Sequence, residues 1–171
     1  TPHGSVDYPI NPLSLALAAE ATFVARTIDA DTKHLASILK RAALHKGSAF
    51  IEIYQNCNIF NDGAFKSFAD KKVRDDRTIV LEHGQPMVFG KERDKGIRLD
   101  GLKPVVVDLA NGAEESSLLV HDEKTPDPTL ANLLARLEEA DESTPVPVGV
   151  FRAIDKPTYD GLLDEQVAAA R

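Results

Sequence analysis

Residues 11–54 switch twice between helical and strand-like patterning, and that alternation restricts the chain more than any other feature. Asn11-Pro12 offers a helix cap and a first-turn proline ahead of Leu13, Leu15, Ala16, Leu17 and Ala19. A short β-prone run follows over 22–27. Asp31 can cap a second helix, in which Leu35, Ile38, Leu39 and Ala42 fall at helical spacing and which Gly47 ends. Residues 49–54 form the next strand. Two strands joined by a helix predict a right-handed crossover and a parallel pair, the unit of an α/β sheet whose chemistry gathers at the carboxyl ends of the strands.

After Asn61-Asp62-Gly63, a strong turn sequence, the patterning changes. Short β-prone runs at 78–81, 86–89, 96–99, 104–109 and 118–121 alternate with turns and predict a small meander, with Asn111-Gly112 turning between its last two strands. Asp127-Pro128 supplies a cap and a first-turn proline for a helix whose Leu130, Leu133, Leu134 and Leu137 make a packing stripe. The acidic, proline-containing run 138–147 reads as a surface connection before a last strand at 148–153. The expected division is therefore 1–62, a parallel-sheet unit, and 63–171, a small α+β extension containing the meander. No repeat of fixed period interrupts this order.

A hydrophobic fraction of 43% with 27% charged residues is that of a folded chain. No apolar run approaches the roughly 18 residues that a membrane span needs. The net charge of −7 argues against general nucleic-acid binding, which requires a basic surface. That charge is unevenly spread. Residues 66–98 carry nine Lys or Arg against six Asp or Glu, whereas 108–171 carry five against fourteen, so the middle is mildly basic and the tail acidic. A single cysteine permits no internal disulfide and points to a reducing, cytoplasmic setting. The chain opens on Thr1, and Thr1-Pro2-His3-Gly4 has no signal-peptide pattern, which suggests a piece of something longer.

Most signatures of chemistry are missing from the sequence. It has neither a dinucleotide fingerprint nor a Walker-type phosphate loop. His3, His34, His45, His83 and His121 lack metal-ligand spacing and read as surface or loop residues. Cys57 remains, just past the end of the second strand and set among Gln55, Asn56 and Asn58. A buried structural cysteine normally keeps apolar company. The residues alone leave two readings open, a plain structural thiol or a sulfur with a task.

Four segments bear on that choice: TPHGSVDYPINPLSLALAAEATFVART, FIEIYQNCNIFNDGAF, IVLEHGQPMVFG, and TPDPTLANLLARL with PVGVFRAI. Together, and in this order, they resemble the carboxyl-terminal half of the β subunit of 2-oxoacid:ferredoxin oxidoreductases, most closely the 2-oxoglutarate type. The resemblance implies that 1–62 ends a thiamine diphosphate-binding domain and that 63–171 is the β-subunit extension. Family members hold a 4Fe-4S cluster on four cysteines, three of them upstream, and Cys57 matches the fourth. Gln55, Asn56 and Asn58 would then be available to donate hydrogen bonds around the cluster, and such bonds tune its potential.

The family's Mg2+ and diphosphate motif and its other three cysteines would precede Thr1. The chain alone should therefore bind neither thiamine diphosphate nor a complete cluster, and should be inactive. The resemblance implies an α subunit as partner in a heterodimer or its dimer, a 2-oxoacid and coenzyme A as substrates, and ferredoxin as electron acceptor. Lys71, Lys72 and Arg74 in the basic segment are candidates for a ferredoxin dock. The competing expectation is a separate binding or structural module that keeps the fold without redox activity.

Overall fold

The computed structural model describes residue 4 and residues 6–170. Thr1, Pro2, His3, Ser5 and Arg171 lie outside the described part. Helix α1 (Pro12–Ala18) starts where the sequence predicts, with the Asn11 side chain accepting a hydrogen bond from the Ser14 amide at 3.0 Å. Strand β1 (Phe23–Ile28) leads to α2 (Thr32–Leu44), capped by Asp31 through the His34 amide, and then to β2 (Ala49–Tyr54). β1 and β2 pair in parallel from Phe23 opposite Ala49 to Ile28 opposite Tyr54, as a crossover helix requires. Two short helices, α3 (Lys66–Ala69) and α4 (Arg74–Arg77), precede β3 (Thr78–Leu81). β4 (Val88–Phe89), β5 (Lys95–Asp100) and β6 (Lys103–Asp108) follow, then α5 (Thr129–Ala135), β7 (Val146–Ala153) and α6 (Tyr159–Ala169).

The main sheet has the order β2-β1-β7-β3 and is mixed rather than parallel throughout. β7 runs antiparallel to β1, pairing Phe23 with Ala153 and Arg26 with Gly149, and β3 runs parallel to β7. The sequence expectation of a parallel sheet holds for β1–β2 and β3–β7 and fails at β1–β7. No crossover helix links β1 directly to β7, so local pattern did not fix their relative direction. Gly149 has φ 124°, and a Cβ there would lie 2.9 Å from the Leu81 carbonyl oxygen, so the close passage of β7 against β3 depends on glycine.

The predicted meander needs two corrections. Residues 78–81 belong to the main sheet, leaving β4-β5-β6 as a three-stranded antiparallel sheet. Residues 118–121 form a single bridge, Pro86 with Val120, rather than a strand. The β5–β6 turn is Gly101-Leu102, with Gly101 at φ 61° in the first central position that suits a two-residue hairpin. Asn111-Gly112 turns the chain after β6, at the place expected of it, where the Asp108 carboxylate holds the Asn111 amide at 3.0 Å.

The core lies on both faces of the sheet. Leu13 and Leu17 of α1, Leu134 of α5 and Leu137 cover the face that carries Val24 and Phe151, and Ile38 of α2 covers the face of Phe23, Ala25 and Val150. Each fully buried leucine contributes about 1.5–3 kcal/mol relative to exposure. The predicted Leu130–Leu137 stripe is thus packing. Two further expectations change. His121 is fully buried, its Nε2 donating to the Val150 carbonyl at 2.8 Å, and burial holds its pKa below the ordinary imidazole value. The run 138–147 is not simply a surface connection: Leu137 beside it is buried, and Glu138 is engaged inside the fold.

Candidate functional site

The loop after β2 leaves the carboxyl edge of the parallel β1–β2 pair and carries Cys57, whose side chain is exposed. The Asn61 amide donates to the Cys57 carbonyl at 3.0 Å, folding the segment back on itself. The backbone N–H groups of Phe60 first, then Ile59 and Asn61, favour the thiolate and hold the thiol pKa below its ordinary value. Ile59 and Phe60 expose their own side chains almost completely, 85% and 89%. The result is an accessible thiol beside two exposed apolar side chains.

The three carboxamides around Cys57 differ in what they touch. Asn56 knits the loop: its Nδ2 donates to Asn58 Oδ1 at 2.7 Å and to Asp62 Oδ1 at 2.9 Å, while its Oδ1 accepts from the Gly63 amide at 2.8 Å. Gly63 makes this turn at φ 79°. Asn58 therefore faces Asn56, and Gln55 is exposed.

Beneath the loop lies a charged cluster that sequence reasoning missed. Arg26 in β1 is 1% exposed. Its Nε donates to Glu52 Oε2 at 2.6 Å and its Nη1 to Glu138 Oε1 at 2.8 Å. The guanidinium carbon lies 5.0 Å from the centre of the Tyr54 ring and 5.6 Å from that of Phe151. Burial raises the Glu138 carboxyl pKa, with Arg26 opposing it, and Glu138 Oε2 is buried without a partner among the described residues. Burial likewise pushes the Tyr54 hydroxyl far above its ordinary value. The available signal was a charge inside each apolar strand, Arg26 in FVARTI and Glu52 in AFIEIY. A cleft of about 200 Å³, bordered by Asp29, Tyr54, Asn56, Phe65 and Lys66, opens beside this cluster.

In the basic segment, Lys71 and Lys72 are exposed, whereas Arg74 turns inward: its Nη2 donates to the Ala69 carbonyl at 2.8 Å and its Nη1 lies 3.3 Å from Asp31. Among the described residues no three His, Cys, Asp or Glu side chains gather as a metal site. No helix in the described part is long and apolar enough to cross a membrane.

The sequence matches no family model. It is 43% identical, over all 171 residues, to the 2-oxoglutarate oxidoreductase subunit KorB of Mycobacterium tuberculosis, covering 45% of that protein. It is also 43% identical over 72 residues to the 2-oxoacid:ferredoxin oxidoreductase subunit beta of Saccharolobus solfataricus, which is 42% of this chain and 24% of that one. In fold it is similar to a chain of the 2-oxoglutarate:ferredoxin oxidoreductase from Magnetococcus marinus, with a TM-score of 0.63 and 21% identity, covering 99% of this chain and 42% of that one. The chain spans less than half the length of these relatives. Along its whole length the chain is similar to part of the β subunit of 2-oxoacid:ferredoxin oxidoreductases.

Proposed function

We propose that the chain is the carboxyl-terminal half of the β subunit of a 2-oxoglutarate-type 2-oxoacid:ferredoxin oxidoreductase, an enzyme that oxidatively decarboxylates a 2-oxoacid to its acyl-coenzyme A and reduces ferredoxin. The observation that carries this reading is the 43% identity across all 171 residues to a relative named as a 2-oxoglutarate oxidoreductase subunit. In the complex the chain would pair with an α subunit in a heterodimer or its dimer, in the cytoplasm. Residues 1–62 would complete the thiamine diphosphate domain and 63–171 would form the extension, although β3 and β7 from the second stretch join β1 and β2 in one sheet.

Cys57 is the residue proposed to act as a metal ligand. Its sulfur, exposed at a strand end with its pKa lowered by nearby main-chain N–H groups, suits a thiolate bound to iron. A 4Fe-4S cluster held there would supply one-electron transfer to ferredoxin. Within this chain, the amides of Phe60 and Ile59 would stabilise the negative sulfur, and the exposed Ile59 and Phe60 side chains would limit water around it. Gln55, Asn56 and Asn58 would act around the cluster, Asn56 by holding the loop's shape. Thiamine diphosphate and Mg2+ would be held by residues beyond this chain. Lys71 and Lys72 would offer ferredoxin a basic landing surface.

Cys57→Ser in the assembled full-length complex tests the assignment, since a serine oxygen is a harder and poorer iron ligand than a thiolate. Iron content and the electron paramagnetic resonance signal of the reduced protein should both change. An unaltered 4Fe-4S signal would overturn the assignment. A parental reading frame without three further cysteines upstream would favour the separate binding module instead.

A further inference from the structure

The loop that carries Cys57 is exposed from Gln55 to Phe60, so its position depends on its base. That base is a ring contact. Tyr54, the last residue of β2, and Phe65, at the far end of the loop, have ring centres 4.8 Å apart. Phe68 completes the cluster at 5.2 Å from Tyr54 and 5.7 Å from Phe65. Aromatic pairs at these separations attract beyond their buried area, and this one joins the two ends of a short loop.

Tyr54 is itself held from the other side. The Arg26 guanidinium lies 5.0 Å from its ring centre, and its hydroxyl reaches Glu138 Oε1 at 3.4 Å, the same oxygen that accepts from Arg26 Nη1. Glu52 fixes the opposite side of Arg26 at 2.6 Å. Glu138 sits in the 3-10 turn Leu137–Glu139 after α5, distant in sequence from the loop. A continuous set of contacts therefore runs from that turn through Arg26 and Tyr54 to Phe65 and the two ends of the Cys57 loop.

We propose that Arg26 and Glu138 are positioning residues that act through the Tyr54 ring to set where the Cys57 loop stands, so that the turn after α5 governs the placement of the thiol. The consequence for an iron-sulfur cluster rests on the function proposed above. The placement of the loop does not, and it can be measured without a cluster.

Hydrogen exchange of the 171-residue chain, read by mass spectrometry on peptides covering residues 55–65, tests the proposal. Tyr54→Leu should speed exchange in that segment about tenfold, and Glu138→Ala about threefold, with β1 and β7 unchanged, because the loop opens locally. The double variant should match Tyr54→Leu, since two groups acting through one contact are not additive. Glu139→Ala, which alters the exposed pair with Arg136, is the control and should leave the loop as it is. If Tyr54→Leu does not fold, Tyr54→Phe and Glu138→Gln each carry the test, with a rise of about twofold confined to the loop. Uniform acceleration across the chain, an unchanged loop, or multiplicative effects in the double variant would each overturn the proposal. Cys57→Ser in the same assay should leave loop exchange unchanged, which separates this result from the fate of the cluster assignment.

Discussion

Replacing Arg26 by methionine should expose how much the fold depends on one buried cation. The side chain is 1% exposed and is the partner of two carboxylates, Glu52 at 2.6 Å and Glu138 at 2.8 Å, whose side chains are themselves only 16% and 23% exposed. Methionine fills much of the volume between Tyr54 and Phe151 but leaves both carboxylates without a counter-charge. Breaking a buried pair from one side costs about 3–5 kcal/mol, and that is the expected loss at about pH 8. The loss should shrink on acidification. The Glu138 carboxyl is held above its ordinary value by burial even with Arg26 opposing, and removing Arg26 raises it further.

An acid whose folded pKa exceeds its unfolded value favours the folded state as the pH falls through the folded pKa, each unit inside that window restoring about 1.4 kcal/mol. Urea denaturation of both proteins at about pH 8 and about pH 5 measures this, at pH values above the range where the exposed carboxyls of Asp122 and Asp127, whose pKa values are lowered, take up protons. A deficit under about 1 kcal/mol at the higher pH, or one that does not change with pH, would refute the assignment of Glu52 and Glu138 as charges compensated by Arg26.

Other consequences follow from the same packing. Gly149→Ala should lower stability by about 3 kcal/mol or more, since it adds strain at φ 124° to a contact with the Leu81 backbone, whereas Gly84→Ala, at φ 75° with open space around it, should cost about 1 kcal/mol; the two urea midpoints decide this. Lys71→Glu with Lys72→Glu in the full complex should slow ferredoxin reduction more at low salt than at high salt and spare a small neutral acceptor, while equal losses with both acceptors would indicate damage elsewhere. Arg74 stays unchanged in that test because its guanidinium already holds the Ala69 carbonyl and Asp31.

What the sequence determined by itself was local. Asn11 and Asp31 cap their helices through amides three residues ahead, and the alternation of helix and strand over 11–54 was enough to pair β1 with β2 in parallel and to leave Cys57 at the strand end. Those interactions close over a few residues or one crossover, so their signals stand together in the chain. The tertiary structure decided the rest. β7 inserts between β1 and β3 with its direction opposed to β1, which removes 78–81 from the meander. Arg26 finds one carboxylate 26 residues away and another 112 residues away, although Glu138 lies in an acidic run that reads as solvent-facing. A charge in a buried strand announces that a partner is needed and says nothing about which distant carboxylate will arrive. Only packing α5 and its following turn over the sheet brings Glu138 to Arg26, because desolvation makes the pairing necessary once that surface is buried.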